Sequence, residues 1–109
     1  MAITYKVLAQ SAPSATTNTD VYTVGAGKQA VISTITVCNR DSSAATYRIA
    51  VRPDGATIAN QHYIVYGTQV PANDTISLTL GITVDASDVV TVYASTANLS
   101  FNLFGTEIA

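Results

Sequence analysis

The stretch TISLTLGITV, residues 75–84, alternates apolar and polar side chains more regularly than any other part of the chain. A period of two residues is typical of a β-strand that buries one face and exposes the other. The segment is therefore predicted to form one strand, with the buried face made by Ile76, Leu78, Leu80 and Ile82.

The same alternation recurs on both sides of this stretch, and the pieces are separated by turn signals. RPDG (52–55) and VPAND (70–74) carry the proline, glycine and aspartate that favour turns. Valine and threonine are abundant, and they suit strands better than helices. We predict an all-β antiparallel β-sandwich, jelly-roll-like, with about eight short strands: 3–10, 20–24, 29–39, 45–51, 61–67, 75–84, 89–95 and 99–105.

The stretch ITVCNRDSSAATYRIAV (35–51) is interpreted as a β-hairpin that turns at NRDSS. Its first strand is expected to bury Val31, Ile35 and Val37 on one face. Its second strand points Arg48 outward. This arginine and Arg52 would either be available to a partner's carboxylates or carbonyl groups or simply face solvent.

The length of 109 residues allows one domain with one core, so residues 1–109 are predicted to be a single β-sandwich domain. Residues 1–19 combine a strand with a Ser/Thr/Ala-rich connector that would serve as an N-terminal arm. MAITYKVLAQ lacks the cationic start and apolar run of a signal peptide. No stretch approaches the ~20 apolar residues of a membrane helix, so no membrane partner is expected.

The charge content argues against nucleic acid as a partner. Charged residues are 11% of the chain, the net charge is −2, and the five cations never form a run. Nucleic-acid binding needs a basic stripe, because counterion release supplies much of the affinity. So few charges suit a protein that sits against copies of itself or a scaffold.

No combination of residues predicts catalysis, a metal or a cofactor. Cys38 is the one cysteine, so no intrachain disulfide can form, and its pairing with His62 as nucleophile and base is disfavoured against simple packing. GAGK (25–28) departs from the phosphate-loop pattern and is interpreted as a hairpin turn. The aspartates fall in predicted turns and lack the spacing of a calcium loop. We expect a non-enzymatic protein with no cofactor and no metal.

Some of the eight aromatic residues can be assigned from the alternation, whereas Tyr63, Tyr66, Tyr93 and Phe104 are left open. Three lie on predicted apolar faces and are assigned to the core: Tyr5, Tyr47 and Phe101. The outward positions leave four candidate contacts with a neighbouring subunit or partner, since aromatic residues and arginine dominate protein interfaces: Arg48, Tyr63, Tyr66 and Tyr93.

The phrases TVCN…ATYRIAVRP, YGTQVPANDT and VYAS…LSFNLFG resemble a group of short β-rich virion proteins encoded by tailed bacteriophages. The similarity spans roughly residues 20–108 and consists of strand and turn phrases, with no catalytic signature. It implies a structural protein of the particle, made in the cytoplasm of the infected bacterium and then added to the virion.

Within that group, the resemblance favours a capsid decoration or cement subunit that contacts the major capsid protein or tail proteins. Small sandwich proteins of this kind often assemble as trimers, so a homo-oligomer is expected, with a trimer favoured. The alternatives are a tail, collar or baseplate component, or a receptor- or glycan-binding module of a tail fibre. A small hydrolase is the least favoured hypothesis.

Overall fold

Nine antiparallel β-strands form two sheets in the computed structural model, which describes residues 2–109. The prediction of an all-β sandwich is confirmed. Two short 3₁₀ turns, Pro53–Gly55 and Asn60–His62, interrupt the loop before the fifth strand. The strands are β1 (Ile3–Ser11), β2 (Thr19–Thr23), β3 (Gln29–Asn39), β4 (Ala45–Arg52), β5 (Tyr63–Val70), β6 (Thr75–Leu78), β7 (Ile82–Asp85), β8 (Val89–Ala94) and β9 (Leu99–Ile108).

β1 pairs with β9, β2 with β8, β3 with β6 and β7, and β4 with β5. Strands near the two ends of the chain thus pair with each other, and so do strands near its middle. Sheet A has the order β1-β9-β3-β6, with β7 also paired to β3, and sheet B has the order β2-β8-β4-β5. If β6 and β7 are taken as two halves of one strand, this is the order of a jelly roll. The expected N-terminal arm contains β1, which is paired with β9 along its length.

The hairpin predicted for residues 35–51 is wrong, because β3 and β4 belong to different sheets. The loop 40–44 carries the chain across the sandwich. Both strands then face the same core from opposite sides, Ile35 from sheet A and Ile49 from sheet B. The GAGK segment likewise crosses from β2 in sheet B to β3 in sheet A, so it is not a hairpin turn either.

The buried side-chain amide of Asn39 holds in place the loop 40–44, which connects sheet A to sheet B. The side chain of Asn39 is 1% exposed. Its Nδ2 donates to the carbonyl oxygens of Ser43 (2.9 Å), Val70 (3.2 Å) and Pro71 (3.3 Å), and its Oδ1 accepts a hydrogen bond from the backbone N–H of Asp41 (3.0 Å). One side chain therefore satisfies backbone groups of two loops that both connect the sheets.

The strand predicted for residues 75–84 is broken into two short strands. β6 pairs with Ile35–Cys38 of β3 and β7 pairs with Gln29–Ile32, and residues 79–81 between them are unpaired. Gly81 adopts a φ of +63°, which a glycine tolerates without strain. The alternation of side chains between the two faces is interrupted at this break, so Leu80 is 51% exposed. The prediction that residues 76, 78, 80 and 82 form a buried face is therefore wrong at position 80. Ile76, Leu78 and Ile82 are partly buried against the core.

A β-bulge in β3 lies opposite this break and changes which side chains face inward. The register with β9 shifts between Ile32 and Thr34. The extra residue brings Ile32 onto the same face as Ile35 and Val37, and all three are fully buried. Val31 is only half-buried, so its predicted place beside Ile35 is wrong.

β9 approaches β3 closely at this bulge. Gly105 is paired with Ile32, and a Cβ atom built on it would lie 2.0 Å from the carbonyl oxygen of Val31. A side chain of any size is therefore excluded at Gly105 by the backbone of the neighbouring strand.

The core lies between the sheets and contains two of the three aromatic residues assigned to it. Tyr47 and Phe101 are buried and meet edge to face, with ring centroids 6.2 Å apart. Tyr5 is 82% exposed, so its assignment to the core is wrong. It lies on β1, an edge strand whose outer face has nothing packed on it among the described residues.

The hydroxyl group of Tyr47 has no hydrogen-bond partner within residues 2–109, although it is buried. Burial raises the pKa of this phenol. Because an unsatisfied buried hydroxyl costs stability, Tyr47→Phe is expected to raise the free energy of unfolding by about 1 kcal/mol. Urea denaturation checks this. Tyr22→Phe is the matched control and should lower the free energy of unfolding, since the Tyr22 hydroxyl donates a hydrogen bond to Glu107 at 2.6 Å. A destabilised Tyr47→Phe variant would contradict the assignment.

Candidate functional site

The four residues proposed as contacts from the sequence lie together on the outer face of sheet B. Arg48 on β4 is directly opposite Tyr66 of β5 on one side and Tyr93 of β8 on the other. Tyr63, at the start of β5, lies beside Tyr66. We call these four residues the tyrosine–arginine cluster.

The guanidinium group of Arg48 is held between two aromatic rings. Its Cζ atom lies 4.2 Å from the ring centroid of Tyr66 and 4.2 Å from that of Tyr93. These are cation–π distances, and a cation over a ring face is attracted to its electron-rich centre. The Tyr63 ring meets the Tyr66 ring edge to face, with centroids 4.9 Å apart and an interplanar angle of 85°. The cluster is thus ordered by its own contacts before any partner binds.

The cluster is also accessible. Tyr66 is 63% exposed, and the other three residues are partly exposed. Within the described part of the chain, Arg48 has no hydrogen-bond or ion-pair partner, so the donors of its guanidinium group are free to bind an acceptor from outside. An open pocket of about 370 Å³ adjoins the cluster and is lined by Asn60, Tyr63 and Tyr66.

Arg52, which was expected to be as available as Arg48, is used inside the fold. Its Nη2 contacts Asp20 Oδ1 at 2.8 Å, and its Nε donates to Thr91 Oγ1 at 3.1 Å. Its Nη1 donates to the carbonyl oxygens of Gly55 and Ala56. This arginine joins β2, β4 and β8 to the loop after β4, and it is not free for a partner.

The other chemically interesting residues are not brought together. Cys38 lies on β3 in sheet A, between Thr75 and Ser100, whereas His62 lies in the loop that leads into β5 of sheet B. His62 Nδ1 accepts a hydrogen bond from the backbone N–H of Ala59 at 3.0 Å. The geometry of a thiol nucleophile with an imidazole base is therefore not formed.

Several aspartates stabilise turns by accepting backbone hydrogen bonds, whereas Asp20 on β2 pairs with Arg52. Asp88 Oδ1 accepts from the backbone N–H of Asp54 at 2.9 Å, and its Oδ2 accepts from that of Asp85 at 2.8 Å. Asp41 and Asp74 each accept from the N–H of the following residue. Across residues 2–109, no group of three or more His, Cys, Asp or Glu side chains is placed to hold a metal ion.

A second polar cluster was not predicted. Glu107 on β9 accepts a hydrogen bond from the hydroxyl of Tyr22 at 2.6 Å and one from Lys6 Nζ at 3.1 Å, and Lys28 Nζ lies at 4.0 Å. The Tyr22 hydrogen bond and Lys6 lower the pKa of Glu107. Burial, together with the nearby Glu107 carboxylate, raises the pKa of Tyr22. These residues join both sheets near the paired chain ends and act as a structural clasp.

The lowered pKa of Glu107 predicts a loss of stability in acid. The folded state favours the carboxylate, so its contribution is present above the unfolded value of about 4.3 and disappears as the pH falls through the lower folded pKa. We expect the free energy of unfolding to fall more between pH 6 and pH 3 in the wild type than in Glu107→Gln. Urea denaturation at several pH values measures this, and parallel curves for the two proteins would contradict it.

No helix within residues 2–109 is long and apolar enough to cross a membrane. The features that remain for interaction are the outer faces of the two sheets, with the tyrosine–arginine cluster on that of sheet B. No family model, curated protein or solved structure matches the chain.

Proposed function

We propose that the protein is a non-enzymatic structural protein of a tailed-bacteriophage virion, most simply a capsid decoration or cement subunit. In this role it is made in the cytoplasm of the host bacterium and stabilises the particle through contacts with the major capsid protein. Support comes from the resemblance of its strand and turn phrases to short virion proteins, and from the jelly-roll order, an architecture that capsid domains share with lectins and cupins.

The observation that carries the proposal is the tyrosine–arginine cluster. Tyrosine and arginine, together with tryptophan, are enriched among the residues that dominate binding energy at protein interfaces. The rings of Tyr66 and Tyr93 hold Arg48 in place, so less side-chain freedom is lost when a partner binds. Such a surface gives a partner aromatic area and free donors, and it offers no reactive group.

The same surface would serve contacts between copies of the protein. A homo-oligomer is proposed, with a trimer favoured, in which the tyrosine–arginine cluster of one subunit contacts its neighbour or the shell. These contacts are mainly uncharged, so moderate salt is expected to weaken them only slightly.

The test is to add the purified protein to phage particles produced without it and to locate it by electron cryo-microscopy. The expected result is density at symmetry-related sites on the capsid and a particle that resists heat better. Arg48→Ala and Tyr66→Ala should each reduce occupancy, whereas Gln69→Ala, an exposed residue further along β5, should not. Density on the tail alone, or full occupancy by both variants, would overturn the proposal.

One observation favours a second candidate, a glycan-binding module of a tail fibre. The pocket beside the cluster combines two tyrosine rings with the amide of Asn60, and sugars stack on aromatic rings while hydrogen-bonding to amides. A module of this kind binds the host envelope without the particle. A pull-down of isolated envelope glycans therefore separates the two functions.

A further inference from the structure

β1 forms one edge of sheet A. The direction in which its backbone N–H and C=O groups point follows from the pairing of Ala2 with Ala109. The backbone groups of Ala2 and Ala109 exchange two hydrogen bonds, at 3.0 and 2.9 Å. Antiparallel pairs alternate between bonded and non-bonded positions, so Thr4 and Lys6 bond to β9 in turn. The N–H and C=O groups of Ile3 and Tyr5 therefore point away from the sheet, as do those of Val7 just before the bulge in β1.

The same three residues carry exposed apolar side chains. Ile3, Tyr5 and Val7 all project from the outer face of sheet A, and each is about half exposed or more. Lys6 is the one charged residue of β1, and its side chain is turned to the other face, where it bonds to Glu107. The edge thus presents an uncharged row together with unpaired backbone groups.

The other sheet edges carry features that discourage pairing with another chain. β2 is five residues long, contains Asp20 and has a register shift. β5 has two register shifts against β4, and Gly67 within it has a φ of +79°. β6 and β7 are four residues each and are separated by a break. Natural proteins protect sheet edges with short strands, charges and bulges. From Ile3 to Val7, β1 has neither a break nor a bulge, and its one charge, that of Lys6, is turned to the inner face and paired with Glu107.

We infer that the β1 edge pairs with β1 of a second copy of this chain, antiparallel and centred on Tyr5. In this arrangement Ile3 faces Val7 of the second copy, and the two Tyr5 side chains lie side by side across a twofold axis. Ile3, Tyr5 and Val7 form an uncharged row that is apolar at both ends. Turned by 180°, this row again sets apolar residues opposite apolar residues, so it is complementary to itself, as an isologous contact requires. Each facing pair exchanges two backbone hydrogen bonds, and sheet A continues from one subunit into the next.

This contact uses sheet A and does not depend on the proposed function, whose cluster lies on sheet B. One subunit can make both contacts at once.

Analytical ultracentrifugation of the purified full chain, over a wide range of concentrations, tests the inference with three variants. Tyr5→Lys places two like charges across the axis, and Tyr5→Pro removes an N–H that points outward. Leu80→Lys is the matched control, since it exchanges an exposed apolar side chain for a lysine at a position outside both β1 and the tyrosine–arginine cluster. Dimerisation is expected in the wild type and in Leu80→Lys, and it should weaken at least about tenfold in both Tyr5 variants.

A second measurement identifies the contact itself. Amide exchange followed by NMR should show the N–H groups of Ile3 and Tyr5 protected at high protein concentration and unprotected in Tyr5→Lys. A wild type that stays monomeric, Tyr5 variants that associate like the wild type, or unprotected Ile3 and Tyr5 amides would each overturn the inference. Tyr5→Lys leaves the backbone unchanged, so it decides the question even if the proline variant does not fold. A further variant, Tyr66→Lys, separates the two contacts: an assembly lost in this variant but kept in Tyr5→Lys would support the sheet B contact and reject this one.

Discussion

Replacing Gly105 with alanine is expected to lower the free energy of unfolding by about 3 kcal/mol, at the upper end of the usual cost of overpacking. The new Cβ atom would lie 2.0 Å from the carbonyl oxygen of Val31 and 3.1 Å from the Cα atom of Ile32. Both neighbours are backbone atoms, so no side-chain rotation can relieve the clash. β9 must move away from β3, and the pairing in the middle of sheet A is lost around it.

Urea denaturation followed by circular dichroism measures this change, and Gly25→Ala is the matched control. A Cβ atom on Gly25 would meet only the flexible Lys28 side chain, at 3.5 Å, which is an ordinary contact. The control should therefore remain within about 0.5 kcal/mol of the wild type. Equal midpoints for the two variants would show that β9 does not approach β3 as closely as described.

Asn39→Ala is expected to cost a similar amount, about 3 kcal/mol, for a different reason. The Asn39 side chain donates hydrogen bonds to the carbonyl groups of Ser43, in the loop 40–44, and of residues 70 and 71, and it accepts one from the N–H of Asp41. Without it these buried groups lose their partner, and the loops that carry them are no longer tied together. Asn39→Asp should not rescue stability, because a carboxylate would face the carbonyl oxygens that the Nδ2 group now satisfies.

Asn102→Ala is the control for this pair of variants. Asn102 lies on the outer face of sheet A and accepts a hydrogen bond from Gln10 at the surface, so its loss is expected to cost less than about 1 kcal/mol. Thermal and urea unfolding of the set measure the difference. If Asn39→Asp proved as stable as the wild type, the assignment of the amide nitrogen to the three carbonyls would be wrong.

The positions of the strands could be predicted because alternation and turn residues are local signals. What could not be predicted is how the strands associate. The residues between Asn39 and Ala45 have the composition of a turn whether the chain folds back within a sheet or crosses to the other sheet. Ser33 has no feature that marks it as the extra residue of a bulge, so the inward face of β3 could be predicted on only one side of it.

The candidate site was predicted in part. Arg48 could be assigned an outward position because it lies between Tyr47 and Ile49, which alternate inward. That Tyr66 and Tyr93 flank it depends on β5 and β8 both pairing with β4, and this pairing is not visible in the sequence. The Glu107 clasp was missed for the same reason, since Lys6 and Tyr22 are far from Glu107 along the chain and no local pattern connects them.

The place of β9 in sheet A has a consequence for the synthesis of the protein. β9 leaves the ribosome after the other eight strands of residues 2–109, yet it lies between β1 and β3, which are made early. Until the C-terminal residues emerge, β1 has no neighbour in its sheet and one side of β3 is unpaired. The sheet is therefore completed only after β9 has emerged, and its closure depends on pairing between strands that are far apart along the chain, which makes folding slow. Removal of the last ten residues would take away the central partner of both strands and leave the rest without a complete sheet.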